Sequence, residues 1–347
     1  MSAPTPSFRE AFGVWARIGC LSFGGPAGQI ALLHREVVER RGWLDEERFR
    51  HALGFCMLLP GPEAQQLATY VGWLMHGVRG GLAAGLMFVL PGFAVIVALS
   101  WLYAAFGTLP DVAAVFLGVK AAVVAIVLQA LLRLGRKGLT DRLALALAGA
   151  AFFSLAVLNL PFPLVVLAAG VIGAVAARGN GGAVAGSSEP GRARRTLLTA
   201  VVWTAVWLVP VAAVVAGFGA DSVVARMAVF FAQAAAVTFG GAYTVLAYVA
   251  QAAEQAGWLA HGQMLDGLGL AETTPGPLIL VLVFVGFVGA WQAAPPGLEA
   301  VWALAAAGIT AWAIFAPSFL WIFAGAPHVE RLRSAARLTG ALRGVSA

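Results

Sequence analysis

Residues 58–66 read LLPGPEAQQ, and residues 272–280 read ETTPGPLIL. Both stretches lie inside long apolar regions. Pro-Gly-Pro is poor material for a continuous helix, because each proline lacks an N–H and its ring crowds the preceding turn. A chain that interrupts its apolar segments twice with the same tripeptide needs a reason, and the residues around the two sites supply one.

The first part of the reason is the solvent. Hydrophobic residues make up 61% of the 347 and charged residues 11%, with a mean hydropathy of +0.87. A soluble domain carries about 25% charged residues, so the composition is that of an all-α polytopic membrane protein. The N-terminal MSAPTPSFREAFGVWARIG places Glu10 and Arg17 where a signal peptide wants a cationic start and a clean apolar core, and no cleavage is expected. Cys20 and Cys56 lie in apolar stretches and read as packing residues.

A net charge of +6 and a pI near 10 would suit nucleic acid if the basic residues formed one patch. They do not. Seventeen of the 22 Lys and Arg fall at 35–50, 133–142, 178–195 and 331–343. The connections GTLPD (107–111), NLPFP (159–163), GFGADS (217–222), QAAEQAGWLAHG (251–262) and WQAAPPGLE (291–299) have none. This is positive-inside bias, which reports orientation. It predicts a multi-pass membrane protein with both termini cytoplasmic, and no nucleic-acid partner.

A span needs about 20 apolar residues. Clear candidates are 80–106, 111–132, 142–158, 162–177, 196–216 and 299–325, with the short pair between 142 and 177 forming a tight hairpin. The segments 8–34 and 51–76 have basic residues at both ends or a Pro-Gly-Pro in the middle, so each is expected to be broken, at SFGGPAG and at Pro60-Gly61-Pro62. The Gly/Ser-rich stretch 178–195 reads as a flexible cytoplasmic linker. It divides the chain into a first unit, 1–177, and a second, 196–347.

The two units repeat one another. LSFGGPAGQIALL (21–33) matches VTFGGAYTVLAYV (237–249), Gly42-Trp43-Leu44 matches Gly257-Trp258-Leu259, and Pro60-Gly61-Pro62 matches Pro275-Gly276-Pro277. Pro91 then finds a counterpart in Pro317. Four landmarks in one order indicate internal duplication. Five spans separate the first Pro-Gly-Pro from the second copy, and an odd number turns that copy upside down. The charges agree: the loop after the first Phe-Gly-Gly carries five Arg, and its counterpart, 251–262, carries no Lys or Arg. The expected architecture is two inverted-topology repeats whose broken helices meet near the bilayer midplane, which is where such transporters bind substrate.

Broken backbone at membrane depth is tolerated where it lines a cavity or is buried in protein. With Gly61 as N-cap and Pro62 as the first helical residue, residues 63–66 would present N–H groups at the positive end of a helix, and PGPLIL would do so from the opposite leaflet. The pocket formed with the Phe-Gly-Gly breaks would suit an anion. Pro-Gly-Pro as a simple kink is the plainer reading of either copy alone. Candidate anion-binding residues are Ser22, Phe23, Gly24, Gly25, Pro26, Gln29, Pro60, Gly61, Pro62, Gln65 and Gln66 in the first unit. In the second they are Thr238, Phe239, Gly240, Gly241, Thr274, Pro275, Gly276 and Pro277.

Ionisable groups at membrane depth are functional candidates by default. Arg17 either contributes positive charge to the pocket or snorkels to the interface. Lys120, mid-span with no acid on its own helix within two turns, must face a cavity, an acid on another helix or a bound anion. Glu63 and Glu272 flank the two breaks and are candidate proton-coupling residues, since a carboxylate in a low-dielectric cavity can carry a proton. Glu63 could instead complement its helix terminus. His34, His51, His76, His261 and His328 show no metal-ligand spacing, and no phosphate loop or dinucleotide fingerprint appears. No cofactor is expected, and the chain does not read as an enzyme: a membrane-embedded enzyme would want carboxylates or histidines clustered at one interface. A channel-like anion pore would also use paired broken helices.

FGGPAGQIALLHREVVERRGWLDEERF, LLPGPEAQQLATYVGW and the second-unit FGGAYTVLAYV, GWL and TTPGPL resemble the chromate transporter family in its long-chain, two-domain form. The resemblance covers nearly the whole chain. It implies export of chromate across the bacterial inner membrane, driven by ion gradients and conferring chromate resistance, with sulfate a substrate of some members. A homodimer is an assembly open to such a protein. The family's motif residues fall on Phe23 to Pro26, Pro60 to Glu63, Phe239 to Gly241 and Pro275 to Pro277. Ala242 stands where the first unit has Pro26, and Leu278 where it has Glu63, so the two units are not equivalent.

Overall fold

The computed structural model describes residues 6–107, 109–138, 141–158, 160–176, 190–238 and 242–328. These residues form helices, with no strand among them. The first half contains α1 (Phe8–Leu21), α2 (Gly25–His34) continued by a π-helical turn (Arg35–Arg40), α3 (Glu46–Cys56) and α4 (Glu63–Phe106). Next come α5 (Pro110–Gly138), α6 (Arg142–Ala156), α7 (Phe162–Ala176) and α8 (Pro190–Phe218). The second half follows with α9 (Val223–Ala236), α10 (Ala242–Gln255), α11 (Gln263–Glu272), a 3-10 turn (Leu278–Leu280), α12 (Val281–Ala293) and α13 (Glu299–Gly325).

The expected interruptions are present. α1 stops at Leu21 and α2 starts at Gly25, where Gly24 and Gly25 adopt φ of 88° and 67°, a left-handed region that residues with a Cβ rarely enter. α3 stops at Cys56, and α4 starts after Pro62. The cap lies one residue later than the sequence suggests: Pro62 is the N-cap and Glu63 the first helical residue. Pro62 has ψ of 101°, extended backbone outside the helix, so the residue with no N–H stands where a helix needs none.

α4 contains 44 residues, which straight would span about 66 Å, twice a bilayer core. It does not run straight. His76 (φ −135°, ψ 24°) and Gly77 (φ 59°, ψ −149°) fold it back on itself into arms 63–75 and 78–106. The arms touch through glycine: a Cβ on Gly72 would lie 2.4 Å from the Gly80 carbonyl oxygen, and one on Gly85 2.4 Å from Thr69 Oγ1. In the second half, α12 and α13 are joined by residues 294–298.

Four helices are long and apolar enough to cross a membrane among the described residues: Glu63–Phe106, Pro110–Gln129, Arg194–Phe218 and Glu299–Gly325. Shorter apolar helices fill the remaining expected spans, with α6 and α7 packed against each other as a hairpin. Their outer faces, such as Phe152 (72% exposed) and Leu167 (65% exposed), are apolar surface suited to lipid. The chain is therefore an all-α polytopic membrane protein. α8 begins at Pro190, inside the stretch read as a linker; residues 177–189 lie outside the described residues.

α13 is the central helix. It packs on α4, α8, α9 and α12, and its Pro317, Ser318 and Phe319 are buried. Two core clusters meet along it. One collects Trp15, Phe55, Leu67 and Phe88 of the first half with Phe319 and Phe323 of α13. The other collects Phe231, Trp258, Phe284 and Phe287 of the second half.

Outside the spans, the turn after α2 is charged. Glu36 is buried and accepts from Arg40 Nη1 at 2.6 Å and from Arg41 Nη1. Burial works against its charge, but the two guanidinium groups outweigh burial and hold its carboxyl below the usual range. His34, at the polar end of α2, lies 2.6 Å from Glu46 Oε2 and 3.2 Å from Glu39 Oε1. The hydrogen bond to Glu46 raises its pKa above the ordinary 6.5, against a smaller opposing effect of burial.

Two outcomes are expected. A Cβ at position 92 would lie 2.0 Å from the Pro275 carbonyl oxygen, so Gly92→Ala should destabilise by about 1–3 kcal/mol, while Gly54→Ala, which meets open space, should not. Thermal unfolding in detergent checks both. A raised histidine pKa contributes stability that is complete below pH 6.5, the ordinary value, and is lost as pH rises through the folded value. The melting temperature should therefore fall across that window, and His34→Gln should flatten the profile.

Candidate functional site: a cleft at two crossed breaks

The two Pro-Gly-Pro breaks each meet the residue that precedes the other half's Phe-Gly-Gly. The Gly61 N–H donates to the Thr238 carbonyl oxygen at 2.7 Å, and the Gly276 N–H donates to the Ser22 carbonyl oxygen at 2.8 Å. Gly61 is in φ 118° and Gly276 in φ 101°, backbone that glycine tolerates. Each break is also backed by the proline-containing helix of the other half. A Cβ on Gly61 would lie 3.4 Å from Ser318 Oγ, and one on Gly276 3.5 Å from Gly92 Cα. Thus Pro317-Ser318 supports the first break, and Pro91-Gly92 the second.

Side chains complete the crossing. Gln29, buried on α2, donates from Nε2 to the Gly276 carbonyl at 2.6 Å and to the Ser22 carbonyl at 3.4 Å. Gln66 donates from Nε2 to the Pro60 carbonyl at 2.7 Å. Thr238 and Thr274 turn their hydroxyls back to the carbonyls of Ala234 and Leu270, each at 2.6 Å. These four residues satisfy backbone that the breaks would leave bare in a medium with no water. Several buried polar atoms nearby have no protein partner: Ser22 Oγ, Gln65 Oε1, Gln66 Oε1 and Ser318 Oγ.

Beside the crossing lies a cleft of about 20 Å³, room for a water molecule or so. Its lining comes from three chain segments: Pro26 and Gln29 of α2; Pro62, Glu63 and Ala64 at the start of α4; and Pro277, Leu278 and Ile279 at the 3-10 turn. Each segment is the beginning of a helix or turn with no side-chain cap. By contrast Ser7, Asp45, Asp141 and Ser222 do cap α1, α3, α6 and α9. Three positive helix ends therefore converge on one small space, the arrangement that favours an anion.

Of the candidates read from the sequence, Pro26, Gln29, Pro62, Glu63 and Pro277 line this cleft. Ser22, Pro60, Gly61, Gln65, Gln66, Thr238, Thr274, Pro275 and Gly276 are buried at or beside the crossing. Gly24 and Gly25 form the turn into α2, and Phe23 is exposed beside them. Phe239, Gly240 and Gly241 lie outside the described residues. Glu272 ends α11, two residues before Thr274. Arg17 is on an exposed face of α1. Lys120 finds an acid on another helix, with its Nζ 3.2 Å from Asp266 Oδ2. Neither cation lines the cleft.

Sequence reasoning passed over Asp266, Tyr103, Gly92 and Ser318. Asp266 was open to view, as the one charged residue between Gln263 and Ala271 in an apolar helix, and an intramembrane carboxylate is a functional candidate by default. Gly92 and Ser318 each follow a proline that the repeat alignment had already paired.

Comparison with known proteins identifies the family. The sequence profile of the chromate transporter family matches residues 9–174 and 225–347. The chromate transport protein of Pseudomonas aeruginosa is 36% identical over 299 residues, covering 82% of this chain and 67% of that one. The probable chromate transport protein of Synechococcus elongatus is 30% identical over 99% of this chain and 82% of its own length. The chromate transport protein of Cupriavidus metallidurans is 28% identical over 100% of this chain and 80% of its own. No solved structure matches. With the profile spanning both halves and their two breaks, the chain belongs to the chromate transporter family.

Proposed function

We propose that this protein is a secondary transporter that exports chromate across the bacterial inner membrane, with its two halves as inverted repeats and both termini in the cytoplasm. The observation that carries the reading is the convergence of three uncapped helix starts on one cleft, at the crossing of the two breaks. The reciprocal bonds from Gly61 to Thr238 and from Gly276 to Ser22 support the repeat, because they join the same landmarks in both directions. The chromate named in the relatives' titles supplies the anion.

Chromate near neutral pH is largely a dianion. With an inside-negative potential, moving two charges outward gains about 4.6 kcal/mol per 100 mV, so voltage drives export and proton antiport adds to it. The cleft holds about 20 Å³, so a tetrahedral oxyanion needs it wider. Binding entails separation of α2, α4 and the 3-10 turn, after which first-turn N–H groups and the Gln29 amide can face the anion's oxygens. Glu63 lines the same cleft. Ionised, it occupies the positive end of α4 in competition with a dianion; protonated, it yields that end. Glu272, at the end of α11, is the second carboxylate beside a break.

Uptake of chromate into everted vesicles, with voltage and pH gradient imposed separately and excess sulfate as competitor, tests the reading. Voltage alone should drive chromate uptake. Sulfate moving while chromate does not would sink the substrate. Glu63→Gln should lower the KM for chromate up to about tenfold and flatten the pH dependence of KM.

A further inference from the structure

Asp266 stands on α11, 3% exposed, and is not among the residues lining the cleft. One of its oxygens is crowded and the other bare. Oδ2 accepts from the Tyr103 hydroxyl at 2.9 Å and lies 3.2 Å from Lys120 Nζ. Oδ1 is buried with no hydrogen-bond partner. Desolvating an oxygen of an ionised carboxylate with no donor to replace water is costly, and a proton placed there removes the cost.

The charges facing Asp266 are few. α11 packs on α4, α5, the 3-10 turn and α12. α4 brings Tyr103 and α5 brings Lys120, while the 3-10 turn and α12 carry no ionisable residue. Asp111 begins α5 about 13 Å of helix before Lys120, and His261 and Glu254 pair with each other at the surface. On α11 itself, Glu272 is nearly two turns further along. Lys120 is thus the counter-ion, and its 35% exposed side chain can reach water when the pair opens.

The pair also controls position. α11 fits α5 closely: a Cβ on Gly269 would lie 2.1 Å from Val119 Cγ1. Its other side presents Gly267 to Phe284, whose ring also packs on Tyr103 at 5.1 Å. Four residues after α11 ends comes Gly276, tied to Ser22. Loosening α11 from α5 therefore acts directly on the second break.

A carboxylate in direct contact with a dianion favours binding proton and anion together, which is the wrong sense for antiport. Antiport needs a proton site outside the anion cleft whose occupancy moves the cleft. Resting on the export reading above, we propose that Asp266 is a proton-binding residue of the transport cycle and that Lys120 is its electrostatic latch. A proton on Asp266 Oδ1 neutralises the carboxylate, releases Lys120 as a free ammonium and lets α11 and the second break shift. Loss of that proton restores the ion pair.

Two measurements on the full chain test this. In everted vesicles a one-unit pH gradient with the lumen acid is worth about tenfold in accumulation for each proton exchanged. Asp266→Asn should abolish that stimulation while voltage-driven uptake persists, and Lys120→Arg should retain it. A wild-type-like response in D266N overturns the proposal, as does a wild-type protein whose chromate uptake ignores the pH gradient. The second measurement needs no chromate: infrared difference spectra of the purified protein between acid and alkaline buffer should show a protonated-carboxyl band that D266N lacks. A band unchanged in D266N also overturns the proposal. Should D266N fail to fold, Tyr103→Phe, which removes one donor and keeps the ring, must shift the midpoint pH of the band, and an unmoved midpoint counts against Asp266. If wild-type vesicles carry no chromate, the export reading fails, while the infrared result still decides whether Asp266 binds the proton.

Discussion

Backbone exposed by a broken helix cannot be left to hydrocarbon, where each bare N–H or carbonyl costs several kcal/mol, and this constraint organises the protein. Two hydrogen bonds meet it, from Gly61 to Thr238 and from Gly276 to Ser22. Each uses a donor from one half and an acceptor from the other, so the glycine N–H of each break is satisfied by the opposite half. Gln29 tightens the arrangement, since its amide reaches both the donor strand and the acceptor strand of the second crossing. The close approach of Gly92 to Pro275 and of Ser318 to Gly61 then follows: the supporting helices must come in to near contact to exclude lipid from the crossed strands.

The same constraint creates the cleft. Prolines 60, 62, 275 and 277 have no N–H to satisfy, and the glycines between them spend theirs on the crossing. Beyond the second proline of each break come the first-turn groups, ahead of the first α-helical bond, which in α4 runs from Gln66 to Pro62. A tripeptide that looks like a helix breaker is thus an efficient way to start a helix at membrane depth with its positive end presented to a cavity.

Much of this was legible because breaks and spans are written in residue types with few alternatives. The first Phe-Gly-Gly and the two Pro-Gly-Pro stretches marked interruptions to within a residue, and the apolar runs marked the spans. The N-cap fell one residue late because a proline can stand either as cap or as first helical residue, and only its ψ decides. The fold-back of α4 at His76-Gly77 was partly visible, as the end of one apolar run and the start of another, but the glycines that let the arms touch carry no distinctive spacing. Lys120 was read correctly as needing a partner. Its partner lies 146 positions away on a helix that the sequence presents as a simple approach to the second break, and long-range pairing of that kind is set by packing, not by local pattern.

The departures between the halves are as informative as the repeat. Pro26 and Glu63 face the cleft from the first half, whereas the second contributes Leu278 and Ile279, and its corresponding turn is 3-10 before it becomes α12. An anion in the cleft would therefore meet its one carboxylate from the first half and an apolar wall from the second. The buried acid of the second half lies instead on α11, paired with Lys120 and not among the residues that line the cleft. A duplicated fold with two equal carboxylates at its centre would repel a dianion from both sides. On the reading proposed above, an acid placed outward along the helix that leads to the break would keep a proton site connected to the anion's position while removing its charge from the anion's field. The crossing needs a break from each half, and the differences between the halves place their two acids in different surroundings.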